Sequence, residues 1–351
     1  MSETARMLDD TAERMLARRL EDPMSRGVEA LRPGLHAEAI EAGLPLALAP
    51  ESDGGLGGSL FEAGVIAWRW GWHAAPLPIV EMLLIPSLPL ASDEWMAGNL
   101  TLASTPGLEL CGDAISGQVI EAPVIGEIST VLAIAMDAEG HSWLVEIDAM
   151  PAEKIRALSG EPWLRLDPSE ARLRAKCPCP VGLDAVAVRG ALLTSAAMMG
   201  AMARILEITI EYANIRKQFG KPLGKFQAVQ HMIAEAASEH VVAQAALAAA
   251  IEAEDGGKSR PLLWQSAKAQ AGRAATVVSA AGHQVLGAIG FTEEHVLHRY
   301  SKRLWTWRDE WGRQTVCEAA IGRAACADEH GLWSHIVDDT STIANTGALW
   351  A

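Results

Sequence analysis

The chain has 351 residues, half of them apolar, enough to bury a substantial core divided over two or three domains. Lys and Arg total 29 against 44 Asp and Glu, a formal charge of -15, which repels nucleic-acid phosphates and anionic membrane surfaces while leaving room for a local basic site. The most apolar stretch, residues 76–90, is broken by Pro76, Pro78, Glu81, Pro86 and Pro89, so no membrane span is expected; the mixed charges from Glu3 to Arg14 lack a leader pattern and point to the cytoplasm.

From Ala5 to Leu20 the apolar residues Met7, Leu8, Met15, Leu16 and Leu20 recur near a 3.6-residue period and predict an amphipathic helix that Pro23 ends. GLHAEAIEAGL follows, then the turn-rich loop APESDGGLGGS, then an apolar helix over Leu60–Trp72. Residues 97–175 change to short runs rich in β-branched residues (GQVIEAPVI, STVLAIAM, HSWLVEI), which read as antiparallel strands. From Asp184 helical periodicity returns over 186–216, 222–254, 260–286 and 293–308, with Asp255-Gly256-Gly257 closing the second helix. The expected class is α+β, mainly α: an N-terminal helical domain (1–96), a small middle β domain (97–183) and a C-terminal four-helix bundle (184–351).

The five cysteines (111, 177, 179, 317 and 326) are odd in number and lack zinc-type pairing; KCPCPVG offers a metal only two close ligands, so free thiols and no metal are expected. The stretch RKQFGKPLGKFQAVQHMIAE, Arg216–Glu235, sets a guanidinium beside a Gly-containing turn, Pro222 and a helix start. Such a grouping offers fork-shaped donors and a positive dipole to a diphosphate, or else is a basic, solvated connection.

This stretch resembles the signature of the acyl-CoA dehydrogenase family: Arg, two residues, Phe-Gly, then Phe-Gln opening the next helix. AAGHQVLGAIGF, from Ala280, resembles the family's Gln-x-x-Gly-Gly-x-Gly-Phe loop, with Gln284 and Gly287 in matching positions and Ala288 replacing the second Gly; otherwise it is a Gly-closed helix–helix turn. APESDGGLGG resembles the family as well, so the likeness spans most of the chain. It implies the acyl-CoA dehydrogenase fold and FAD as cofactor, contacted by Arg216, Gln218, Phe219, Gln227, Gln284 and Gly287 near the adenine half of a neighbour's FAD. It also implies an acyl-CoA substrate, an electron-transfer flavoprotein or similar acceptor, and a tetramer.

In the family a carboxylate removes the α-proton of a thioester while hydride leaves the β-carbon for flavin. Here the usual position, counted from Arg299, holds Arg308; Asp309 and Glu310 follow at once. The family's alternative position, counted back from Arg216, falls on Gly190, beside Arg189. Three readings stand: Glu310 or Asp309 is the base after a local shift; either carboxylate pairs with Arg308 or Arg313; or the base comes from another chain. GAIGFTEEHVLHRYSKRLWTWRDE is most similar to subunits of the heterotetrameric (α2β2) steroid side-chain dehydrogenases. LTLASTPGLELCGDAISG lacks the family's Thr-Glu-Pro, keeping Thr105-Pro106, and has a shortened connection before Gly117, so a complete flavin pocket in one subunit is in question. A non-catalytic subunit, and a flavin monooxygenase with Arg at the base position, are the rival functions. Of the twelve Trp, Trp68, Trp70 and Trp72 cannot all face one core; Trp305, Trp307 and Trp311 are packing residues or a wall for a polycyclic acyl group.

Overall fold

The computed structural model describes residues 2–20, 28–89, 94–104, 107–150, 152–258 and 260–327. Pro23, Thr105 and Pro106 lie outside them. Helix α1 (Glu3–Leu20) turns Leu8, Met15, Leu16 and Leu20 inward, as its period predicts. Helices α2 (Val28–Glu41), α3 (Leu60–Trp72) and α4 (Ile79–Leu84) follow. Ser59 and Glu62 form a capping box that starts α3. Its first amides also donate to Asp255, whose Oδ1 lies 2.7 Å from Leu60 N. Arg69 ties α3 to α1 through Asp9 (2.5 Å) and Glu13 (3.0 Å).

Strands β1 (Leu100–Leu102), β2 (Leu108–Cys111), β3 (Ala114–Ser116), β4 (Ile120–Pro123), β5 (Thr130–Met136), β6 (Ser142–Asp148), β7 (Glu153–Arg156), β8 (Pro162–Leu166) and β9 (Leu173–Pro178) make two sheets. One runs β3-β2-β5-β6-β9 and the other β4-β8-β7. Pairing is not wholly antiparallel as expected, because β1 and β2 lie in tandem along one edge of β5, both parallel to it. The β-branched faces of the strands bury Leu108, Ile120, Val131, Val145, Ile147 and Leu164 in a core of their own.

The bundle consists of α5 (Gly182–Ile215), α6 (Gln227–Asp255), α7 (Pro261–Leu286) and α8 (Leu297–Trp307). Residues 217–222, between the first two expected helices, form a hairpin, β10 (Lys217–Gln218) and β11 (Lys221–Pro222), and the second helix starts at Gln227 rather than at Pro222. Past α8 a turn leads into α9 (Gln314–Ala327), a helix that periodicity did not mark off. The N-terminal helices and the bundle share one apolar core that includes Leu16, Ile66, Leu83, Met198, Leu247 and Leu304. By length and composition, α5 and the stretch Pro261–Phe291 could each cross a membrane, but 83% and 56% of their apolar windows is buried within the protein, as in a core helix.

Trp70 alone of its trio is fully buried; Trp68 and Trp72 stack at 5.2 Å, with Arg69 over the first and Arg204 over the second. Helices α3 and α5 meet backbone to backbone at two glycines. A Cβ on Gly200 would lie 1.9 Å from Trp68 O, and one on Gly71 would lie 1.8 Å from Ala197 O. Gly200→Ala is therefore expected to push the helices apart and cost about 3 kcal/mol. Urea unfolding checks this: an unchanged midpoint would mean that α3 is not seated there.

Candidate functional site

The two Gln/Arg motifs converge. A cavity of about 630 Å³ is lined by Arg216 and Gln218 from the end of α5 and its hairpin, by Ala228 and Val229 from the start of α6, and by Gln284 and Gly287 from the end of α7. The local sequence explains each wall. Arg216 ends α5 in extended conformation, its amide bonded to Tyr212 O and its carbonyl accepting from Leu223 N (2.9 Å), which closes the hairpin. Phe219 and Gly220 sit at the tip with φ of 52° and 82°. Two left-handed residues match the twist of a tight hairpin, but for Phe the conformation is strained. Its ring is held in solvent, 92% exposed and edge-on to Phe226. Such strain on an exposed aromatic marks a surface shaped to meet something. Gly287 leaves α7 at φ 65°, ψ −140°, a combination that glycine tolerates. Ala288 keeps a negative φ, so the second Gly of the motif is not needed here.

Charge and dipole favour an anion in this cavity. No side chain caps α6, its first turn holds no acid, and no carboxylate lines the cavity among the described residues. Arg216 makes no ion pair among them either. Of the residues expected to contact the cofactor, Arg216, Gln218, Gln284 and Gly287 share the cavity. Phe219 projects from the hairpin tip, and Gln227 opens α6 without lining the space. The residues present fit the diphosphate and adenine of a dinucleotide.

The candidate base lies elsewhere. Glu310 and Asp309 line a cavity of about 480 Å³ between β4, β7 and β8 on one side and the end of α8 on the other, with Trp305, Thr306 and Trp311 in its walls. Asp309 is exposed, 3.8 Å from Arg308. Glu310 forms no ion pair with Arg308 or Arg313 among the described residues, and burial, together with the charges of Glu81 and Glu161, raises its pKa well above the ordinary carboxylate range. Helix α8 ends at Trp307, the Asp309 amide donates back to Thr306 O (3.0 Å) in a tighter turn, and Trp311 (φ 50°) and Gly312 (φ 113°) complete the break before α9. Arg308 remains at the end of the helix, where its aliphatic part packs on Gly272.

Two buried groups that no motif announces stand behind Glu310. Lys268, on α7 and 0% exposed, donates from Nζ to Trp307 O (2.7 Å) and so satisfies a terminal carbonyl of α8; burial lowers its pKa to about 8, with Glu310 partly offsetting this. Glu81, on α4, accepts from Trp311 Nε1 (2.8 Å), and burial pushes its pKa up to about 7. Trp311 also closes the family's alternative base position, since a Cβ on Gly190 would lie 2.2 Å from its ring. Arg189, beside it, pairs with Glu254 at 3.6 Å. A third cavity, of about 510 Å³, lies beyond the indole, so Trp311 is a wall common to both.

Cys177 is half-buried and its Sγ donates to Pro89 O (3.3 Å); Cys179 is buried. At the β5–β6 turn Asp137, Glu139 and His141 bring three ligand-type atoms together. Asp137 is already engaged by Trp143 Nε1 (2.9 Å) and the His141 amide (2.8 Å).

A helical N-terminal part, a β region and a bundle whose hairpin and α7 loop frame one anion-compatible cavity define an acyl-CoA dehydrogenase architecture. Residues 187–325 match the acyl-CoA dehydrogenase C-terminal domain. Over that segment the chain carries the acyl-CoA dehydrogenase C-terminal domain, and the relatives it resembles are named acyl-CoA dehydrogenases, which are oxidoreductases. It is 29% identical over 272 residues to the acyl-CoA dehydrogenase IpdE2 of Mycobacterium tuberculosis, covering 75% of this chain and 77% of that protein. Its fold is that of a variant of the Tcur3481-Tcur3483 steroid ACAD (TM-score 0.79, 24% identity, 93% of this chain and 98% of that one). It is likewise that of a chain in the ChsE4-ChsE5 complex from Mycobacterium tuberculosis (TM-score 0.77, 21% identity, 93% and 98%).

Proposed function

We propose that this chain is a subunit of an FAD-dependent acyl-CoA dehydrogenase that introduces an α,β double bond into a bulky, steroid-derived acyl-CoA thioester. The observation that carries the reading is the convergence of Arg216, Gln218, Gln284 and Gly287 on one cavity that no carboxylate lines among the described residues. There Arg216 and the start of α6 would hold the diphosphate, Gln284 and the Gly287 bend the adenine, and the exposed Phe219 would meet a neighbouring protomer. When bound, the flavin supplies the hydride acceptor. Glu310 would take the α-proton: its raised pKa matches a base working near neutrality. Lys268 and Glu81 hold the surrounding turn in place. Trp305 and Trp311 supply apolar wall for a wide acyl group.

The connection from β1 to β2 spans only residues 103–107, leaving little backbone to cover a flavin, which supports a tetramer in which an unlike subunit completes the pocket. The steroid ACAD and the two-chain ChsE4-ChsE5 complex among the structural neighbours support the substrate class and the assembly. A second reading rests on Trp311, whose ring fills the space over Gly190: the chain would be a non-catalytic subunit framing its partner's site.

Absorbance separates the two readings. The purified protein, alone or with its co-expressed partner, is expected to carry flavin that bleaches on addition of a steroid side-chain acyl-CoA. A colourless chain that stays so after FAD is added would refute the flavoprotein reading; a yellow complex whose bleaching is indifferent to Glu310 would favour the framing role.

A further inference from the structure

We infer that Trp311 sets the shape of acyl group this subunit accepts: its indole shuts the Glu310 cavity off from a second chamber and so favours a wide, compact group over a long linear one. The inference rests on the dehydrogenase reading above. Spaces of about 480 Å³ and 510 Å³ lie on the two sides of the indole, and among the described residues only Trp311 and Ser104 line both. The second chamber has apolar walls from Ile134, Val186, Val188 and Trp264. Of the carboxylates that line it, Asp184 is exposed and Glu254 is paired with Arg189 (3.6 Å). Hydrocarbon is therefore the kind of group that suits its interior.

Three separate devices hold the indole where it stands. The backbone of Trp311 is left-handed (φ 50°), a conformation that a bulky side chain adopts only when its surroundings enforce it. The ring lies over Gly190 on α5, where a Cβ would come within 2.2 Å of it, so the helix leaves out a side chain to seat it. Its Nε1 donates to Glu81 Oε1 (2.8 Å), an acceptor 230 residues away that is itself 3% exposed. Burial of an aromatic ring alone requires none of the three. Together they fix its orientation, and a ring fixed between two cavities acts as a partition.

An acyl group whose α-carbon reaches Glu310 meets this partition before it reaches the second chamber. A polycyclic group can spread within the first space, against Trp305 and Trp163. A long linear chain needs length in one direction, and the indole denies it. Apolar pockets discriminate by about 10- to 200-fold over a single methylene, so removal of the ring should release a rejection of at least that order.

The test compares kcat/KM for palmitoyl-CoA with that for a steroid side-chain acyl-CoA, followed by flavin bleaching, in wild type and variants purified with the co-expressed partner. Trp311→Gly suits the left-handed backbone and joins the two spaces; it should raise kcat/KM for palmitoyl-CoA at least about tenfold, both in itself and relative to the steroid thioester. Trp311→Ala serves if glycine loosens the turn. Trp311→Phe keeps a ring in the passage but donates nothing to Glu81, and should hold the wild-type preference. Palmitoyl-CoA turnover that stays at the wild-type level in the glycine and alanine variants overturns the partition. So does an equal rise in Trp311→Phe, which traces the effect to the lost hydrogen bond. Wild-type flavin that neither thioester bleaches sinks the dehydrogenase reading and this inference with it, whereas bleaching with one preference in every variant sinks the inference alone.

Discussion

Arg216→Ala is expected to release flavin. In the proposed arrangement its guanidinium contributes the only side-chain charge that the described residues bring to the dinucleotide cavity. Hydrogen bonds to charged groups contribute about 1.5–3 kcal/mol, so the Kd for FAD should rise roughly 10- to 150-fold. The fold should survive, because Arg216 is exposed and its fixed hydrogen bonds are those of its backbone, to Tyr212 and Leu223. Alanine keeps both. Flavin absorbance per chain after purification, followed by fluorescence titration of the stripped protein, measures the effect, and Lys217→Ala on the same hairpin is the control for a general loss of positive field. Unchanged occupancy in Arg216→Ala would detach the phosphate from this residue and leave the cavity as a helix–helix connection.

The same residues show why this part of the molecule was legible in the sequence. The Arg216 motif, the Phe-Gly turn and the Gly287 bend are local devices: each states its backbone conformation within a few residues, and the long helices between them announce themselves by period. The pairing of β1 with β5 does not. Leu100–Leu102 is three residues long and buried on every side, so it carries no alternation from which a direction can be inferred. The turn at 308–313 is equally silent, since Arg-Asp-Glu-Trp suits a helix and only Gly312 hints at a break that has already begun after Trp307.

The groups behind Glu310 were hidden by separation along the chain. Trp311 and its acceptor Glu81 stand 230 residues apart. The one available signal was a single carboxylate within the most apolar window of the sequence, where it reads as an interruption of a hydrophobic run rather than as a buried acid. Lys268 is similar: an alanine-rich helix face holds one cation, and without α8 in view nothing shows that a terminal carbonyl awaits it.

Glu310→Gln is the decisive substitution for the chemistry. If Glu310 takes the α-proton, the variant should retain flavin, since residue 310 lies outside the dinucleotide cavity, yet lose turnover by about 10²–10⁴-fold, the usual contribution of a positioned base. Wild-type activity should climb with pH through the raised pKa of Glu310, because only the ionised carboxylate accepts a proton. Stability gives an independent readout with a definite sign. A carboxyl whose folded pKa lies above its unfolded value binds more protons folded than unfolded, so the stability it supports at acid pH is lost as pH rises from the ordinary carboxylate range through the folded pKa. Glutamine mimics the protonated form at every pH, so Glu310→Gln should match wild type in an acid thermal melt and exceed it in an alkaline one. Asp309→Asn, at an exposed group already beside Arg308, should change neither. A Glu310→Gln protein that gains alkaline stability but keeps full turnover would show that the buried carboxylate is real and the base is not, and the proton acceptor would then have to be sought on a partner chain.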